Sequence, residues 1–190
     1  MPEATTSVTT ALVHITDLAT PADAEAFRTL NEAWIRRLFA LEDADRAVLG
    51  DPAGRIVEPG GAVLVARLRD GSRATAADTV VGCIGLMPTE PGEYELVKMA
   101  VAPEHQGHGI ARRLITAALE RARELGARRL VLESNSGLTN AVHLYEAFGF
   151  RHLEAHEIVP SPYSRADVHM RLDLDTAPAH HAEVRNARNT

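Results

Sequence analysis

The sequence predicts one mixed α/β domain, built from about seven strand segments and about four helical segments. Three observations carry this. Alternating or continuously apolar segments interleave with amphipathic ones in the order β-α-α-β-β-β-α-β-α-β-β. The chain has 190 residues, 45% of them hydrophobic, enough for one full core. A glycine-bearing loop, Val101–Ala111, joins an apolar strand to a long amphipathic helix.

The elements follow in order. Residues 1–10 read as a disordered lead, 11–175 as the domain and 176–190 as a disordered tail. Leu12-Val-His-Ile-Thr16 alternates as a strand does. Thr20 before Pro21, with Asp23 in the first turn, signals a helix start. Phe27, Leu30, Trp34 and Leu38 recur at helical spacing, with Trp34 in the core and Arg36-Arg37 on the solvated face. Phe39 to Pro52 is charged, with a short helical pattern. Gly60-Gly61 marks a turn, and Ala62–Ala66 a strand. Asp70 to Asp78 is a hairpin loop, Thr79 to Met87 the third strand, Pro88 to Gly92 a turn and Glu93 to Val101 the fourth strand.

Ile110, Leu114, Ile115, Ala118, Leu119, Ala122 and Leu125 then line one face of a helix stopped by Gly126. Arg129–Glu133 is a buried-type strand and Ser134–Leu138 a loop. Ala141, Leu144, Tyr145 and Phe148 share a face of a short helix ended by Gly149. Phe150 to Ile158 reads as a strand, Pro160-Ser-Pro162 as a rigid turn, and Ala166 to Leu174 as the last strand. His180-His181 lies in the tail, a lone pair that makes no metal site.

The loop before the long helix carries the clearest chemistry. Gly107 and Gly109 let the backbone turn tightly and expose its N–H groups. The first turn of a helix has unpaired N–H donors and the positive end of the dipole. Together they predict a site for a phosphate or pyrophosphate. The glycine spacing is not the dinucleotide fingerprint, and no Gly-Lys-Ser/Thr follows as in a Walker loop. Of the nearby arginines, Arg112, Arg113, Arg121, Arg123, Arg128 and Arg129, most read as solvated helix face, and one or two near the helix start could help hold phosphate.

Bulk properties exclude several classes. The formal charge of -6 argues against nonspecific nucleic-acid binding. No apolar run approaches the length of a membrane span. Cys83 is the only cysteine, so no intrachain disulfide forms, and a reducing, cytoplasmic setting is expected. Cys83 has no local activating base and reads as a core residue.

Gln106-x-x-Gly109-x-Ala111, after a strand ending Met99-Ala-Val-x-Pro, resembles the Q/R-x-x-G-x-G/A signature of the GNAT acetyltransferase superfamily. A second motif, Ala141-x-x-Leu144-Tyr145-x-x-x-Gly149-Phe150, is similar to the family's helix after the fifth strand. The likeness extends over residues 12–174. Leu30-Asn-x-x-Trp34, Glu42-x-x-Asp45, Leu132-Glu-Ser-Asn135 and Ser161-Pro-Tyr-x-Arg165-Ala-Asp167 further resemble a bacterial subgroup without an assigned substrate. One position departs: the family's frequent asparagine, three residues before the motif alanine, is Leu138 here. Asn135 and Asn140 lie close by, and either could make that polar contact.

The resemblance implies a mixed central sheet and acetyl-CoA as donor, with no metal and no nucleic-acid or membrane partner. A homodimer is compatible with it. Backbone groups of Gln106, Gly107, His108, Gly109, Ile110 and Ala111 would hold the pyrophosphate, and Met99, Ala100 and Val101 the pantetheine arm. Tyr145 is the candidate general acid for the departing thiolate. Glu95 is a candidate general base. Strand alternation places it with Val97, Met99 and Val101 on a largely apolar face, where partial burial would raise its pKa. Glu42 is the second candidate, and a water chain a third possibility. Tyr163 and Arg165 lie in the expected acceptor loop, and Arg165 is suited to clamp a carboxylate. The acceptor would then be a small amine bearing an acid group. The alternatives are acetylation of a protein N-terminus or lysine, and a coenzyme A-binding module without turnover.

Overall fold

Residues 12–69 and 79–174 are described by a computed structural model. The expected lead, the Asp70–Asp78 loop and the tail with His180 and His181 lie outside the described residues. Local chemistry sets the first helix, α1 (Pro21–Leu38). Thr20 Oγ1 accepts from the Asp23 N–H at 3.2 Å, and the Asp23 carboxylate accepts from the N–H groups of Thr20 and Ala19. This reciprocal cap satisfies donors a helix start otherwise leaves open. Asp23 is itself buried against Arg67, at 2.6 Å. The inner face of α1 is Asp23, Phe27, Asn31 and Ile35, turned about a residue from the expected stripe. Leu38 is exposed, and Trp34 is half-buried at the edge of a cavity rather than in the core.

The other helices are α2 (Asp43–Gly50), α3 (Ile110–Glu124) and α4 (Thr139–Ala147). The strands are β1 (Leu12–Asp17), β2 (Ala62–Arg69), β3 (Thr79–Glu90), β4 (Glu93–Val101), β5 (Arg129–Ser134), β6 (Arg151–His152) and β7 (Val168–Asp173). They form one seven-stranded sheet in the order β1-β2-β3-β4-β5-β7-β6. β1 to β4 run as an antiparallel meander, β4 and β5 are parallel, and β7 lies antiparallel between β5 and β6.

Alternation in the strands sends side chains to two cores. On one face Leu64, Leu86, Leu96, Leu130 and Met170 pack with the Ile110, Leu114, Ile115, Ala118 and Ala122 stripe of α3. On the other, Val63, Val65, Cys83 and Val97 pack with Phe27, Ile35 and Leu49 of α1 and α2. Burial pushes the Cys83 thiol up to about 12, which keeps it an unreactive core residue. Pro88 continues β3 because β2 stops pairing at Leu86, so no strand needs the missing N–H.

Two further expectations are corrected. Strand alternation fails in β4: Cys83 pairs with Ala100 and Gly85 with Val97, so β4 carries one extra residue. Lys98 sits in this bulge at φ 53. Beyond the bulge, Met99 and Val101 pack on the α3 face with Leu96, while Val97 and Ala100 stay on the α1 face. Glu95 therefore does not share a face with Met99 and Val101. The strand expected over Phe150–Ile158 is only Arg151–His152. Glu157 draws the chain into a short turn by accepting from the Glu154 N–H and pairing with Arg151 and Arg171.

Candidate active site

β4 and β5 pair over only three positions, Glu93 to Glu95 against Arg129 to Val131, and then diverge. The gap leaves the rest of β4 without a partner on that side. Two cavities occupy it, of about 750 Å³ at the α3 end and about 270 Å³ further in. They share Met99, Ala100, Val101 and Gln106 as lining residues, so they adjoin one another along β4.

The outer cavity is floored by the α3 N-terminus. Gly107 and Gly109 adopt φ 78 and 77, a region that glycine enters without strain. Gly109 is the N-cap and no side chain caps the helix, so its first-turn N–H groups remain available. The space where a Cβ would stand on either glycine is open. Gln106 Nε2 donates to the Val101 carbonyl at 3.1 Å and ties the loop to the strand end. Gly107, Gly109, Ile110 and Ala111 line this cavity, with Asn140 opposite. His108 does not; its Nδ1 lies 2.9 Å from the Gln106 carbonyl oxygen. An open helix start facing an unpaired strand edge fits a ligand with a pyrophosphate head and an amide-bearing arm.

The inner cavity holds the titratable groups. Glu95 is half-buried there. Burial, and then the Glu133 carboxylate on the neighbouring strand, push its pKa up to about 7 against the pull of Lys98. Tyr145, from α4, is 8% exposed and packs edge-on to Phe150. Burial pushes its phenol well above the ordinary value, so it keeps its proton at neutral pH. Asn135 lines the same cavity, but its amide is engaged: Nδ2 donates to the Arg165 carbonyl and Oδ1 accepts from the Gly137 N–H.

Glu42 lines neither cavity. Its carboxylate accepts from the N–H and Oγ of Ser164 at 3.0 and 2.9 Å, with Arg165 at 3.4 Å. Arg165 is likewise committed, gripping both oxygens of Asp45 at 2.8 and 2.7 Å. Its guanidinium lies 4.7 Å from the centroid of the Tyr163 ring. Tyr163 lines the inner cavity and bonds Lys98 Nζ at 3.0 Å.

Asp45 is the centre of this network and was not expected there. It is fully buried and also accepts from Lys98 at 2.6 Å and from the Glu42 N–H. The only sequence signal was the Glu42-x-x-Asp45 spacing of a reciprocal helix cap. Lys98 reaches Asp45 from its left-handed conformation, which costs about 1–3 kcal/mol in a non-glycine residue. Asn31 steadies the bulge by donating to the Lys98 carbonyl at 3.1 Å. Among the described residues no cluster of three or more His, Cys, Asp or Glu side chains could hold a metal. No helix among them is long and apolar enough to cross a membrane.

The family model for the Acetyltransferase (GNAT) family matches residues 24–150. The chain belongs to the GNAT acetyltransferase family. It is 28% identical over 166 residues to an uncharacterised N-acetyltransferase of Schizosaccharomyces pombe, covering 85% of this chain and 95% of the relative. It is 41% identical over 78 residues to an uncharacterised N-acetyltransferase of Escherichia coli, covering 40% of this chain and 47% of the relative. Among solved structures, a GNAT-family acetyltransferase from Staphylococcus aureus shares the fold, with a TM-score of 0.74 at 16% identity over 85% of this chain and 99% of that one. So does an acetyltransferase from Salmonella typhimurium solved with its cofactor acetyl-CoA, with a TM-score of 0.64 at 22% identity over 90% and 99%. This GNAT protein is an acetyl-CoA-dependent acyltransferase, with acetyl-CoA as cosubstrate.

Proposed function

We propose that this GNAT enzyme acetylates a primary amine of a small molecule, by direct transfer while donor and acceptor are both bound. The observation that carries the reading is Glu95, a carboxylate raised to about 7 in a cavity of about 270 Å³ that adjoins the cosubstrate groove. A base with a pKa near neutrality accepts a proton efficiently at physiological pH. A cavity of that size suits a small acceptor.

Bound acetyl-CoA supplies a thioester carbonyl activated for attack. The open N–H groups from Gly107 to Ala111 hold its pyrophosphate, and the unpaired edge of β4 from Met99 to Val101 aligns its arm. Glu95, directly or through one water, takes the proton that the acceptor ammonium must lose before its nitrogen attacks. The N–C bond forms, the C–S bond breaks and the nitrogen sheds its second proton as the amide is made; the Tyr145 hydroxyl would protonate the departing thiolate and recover that second proton. Glu42 is spent on holding Ser164 and Arg165, which favours Glu95 over it as the base.

Incubating the enzyme with acetyl-CoA and a panel of small primary amines tests this. Amine-dependent release of the free thiol is expected. Release with peptide or protein acceptors alone would overturn the small-molecule reading.

A further inference from the structure

The charges around the inner cavity do not cancel evenly. Of its three cations, Lys98 and Arg165 are bound to Asp45, and Arg165 also to Glu42. Arg37 is the third, at the end of α1, and it lines both cavities at their junction. Among the described residues it makes no hydrogen bond or ion pair, whereas its neighbour Arg36 is paired with Glu32 at 3.1 Å. Its guanidinium is thus available to a ligand.

Two carboxylates lie deeper. Glu95 pairs in register with Val131, and Glu133 follows two residues further along β5, on the same face. The strands separate just beyond that pair, so Glu95 and Glu133 border one widening space. Glu133 is held by Ser161 Oγ on one oxygen, with His169 Nε2 3.8 Å from the other. Two carboxylates facing one space repel each other, and a cation between them relieves the repulsion. Trp34 and Phe39 add apolar surface beside Arg37.

We propose that the acceptor is an amino-acid-like zwitterion, its ammonium seated between Glu95 and Glu133 and its acid group taken by Arg37. The planar fork of a guanidinium matches a carboxylate with two parallel hydrogen bonds. Arg37, and not Arg165, is then the residue that selects the acid. This rests on the small-amine reading and narrows it to a class. The cosubstrate's phosphates offer Arg37 a rival anion, although the open start of α3 already provides donors for them.

Steady-state kinetics with matched pairs, each an amino acid and the amine left when its carboxyl group is removed, separates these cases. The unaltered enzyme should prefer the amino acid. Arg37→Gln should lower kcat/KM for the amino acid by about 10- to 100-fold, the usual worth of one charge-assisted hydrogen-bonded contact, towards that of the matched amine. The KM for acetyl-CoA should not follow it, and Arg37→Lys should restore part of the preference. Glu133→Gln should raise KM for every amine acceptor. Amine turnover without preference for the acid overturns this proposal alone. So does an Arg37→Gln variant whose main defect is a raised KM for acetyl-CoA, because the anion read is then a phosphate. No turnover of any small amine overturns both readings.

Discussion

The ammonium of Lys98 lies 2.6 Å from a carboxylate oxygen of Asp45, and the two side chains are 5% and 0% exposed. Arg165 approaches the same carboxylate from the loop before β7. One buried anion thus joins the β4 bulge, the start of α2 and the loop before β7.

Replacing Asp45 should therefore cost more than a surface ion pair. Asp45→Asn leaves Lys98 without its ion-pair partner and Arg165 with only Glu42, and should destabilise the fold by about 3–5 kcal/mol, read from urea midpoints. The pH dependence has a definite sign. Burial pushes the Asp45 carboxyl up, but hydrogen bonds from Arg165 and Lys98 outweigh it and leave it at about 2, below its ordinary 3.8. The contribution is fully present above pH 3.8 and is lost as pH falls through about 2. The gap between wild type and variant should narrow as pH falls through that range; a constant gap would disprove the charge-based account.

Glu95 works in the opposite direction. Its pKa of about 7 predicts that kcat/KM rises with pH through a single limb near that value. Glu95→Gln should remove the limb and lower kcat/KM by about 10²- to 10⁴-fold. The folded value lies above the ordinary 4.5, so stability from the protonated form is complete below pH 4.5 and is lost as pH rises through about 7. Glu95→Gln should accordingly gain stability relative to wild type in alkali. A limb that survives the substitution would assign it to another group.

Tyr145→Phe keeps the ring packed on Phe150 and removes only the hydroxyl. The expected result is a fall in kcat of about 10²-fold, with little change in KM for acetyl-CoA. Equal kcat in the two enzymes would remove Tyr145 from the proton path.

Gly109 is at φ 77 with open space beyond its α-carbon. Gly109→Val would place a branched side chain over the exposed N–H groups and force a left-handed conformation costing about 1–2 kcal/mol. Calorimetric titration should show weaker acetyl-CoA binding than in wild type. Unchanged affinity would refute the assignment of the pyrophosphate to this loop.

Much of this was legible because it is local. The α3 stripe, the left-handed glycines before it and the Tyr145 helix are written in consecutive residues, and so is the order of strands. The α1 face was misjudged because its buried polar members, Asp23 and Asn31, do not look like core residues. The β4 bulge left no mark, since an extra residue shows only against the register of β3. The Asp45–Lys98 contact joins positions 53 residues apart, beyond any short-range pattern. Arg165 looked free for a ligand because its partner could not be seen. Arg37 looked like solvated surface because nothing in its own helix shows that two cavities meet beside it.

The three-pair contact between β4 and β5 also governs how the molecule comes together. The meander from β1 to β4 and the β5-β7-β6 group are each built from an unbroken stretch of chain, with α3 crossing between them. During synthesis from the N-terminus, the first group can pair and take its cover from α1 before Arg129 is made. Glu95 and Lys98 are then in place while Glu133, Tyr145 and Arg165 have yet to emerge. The cleft can be completed only once the chain has been made as far as Arg165.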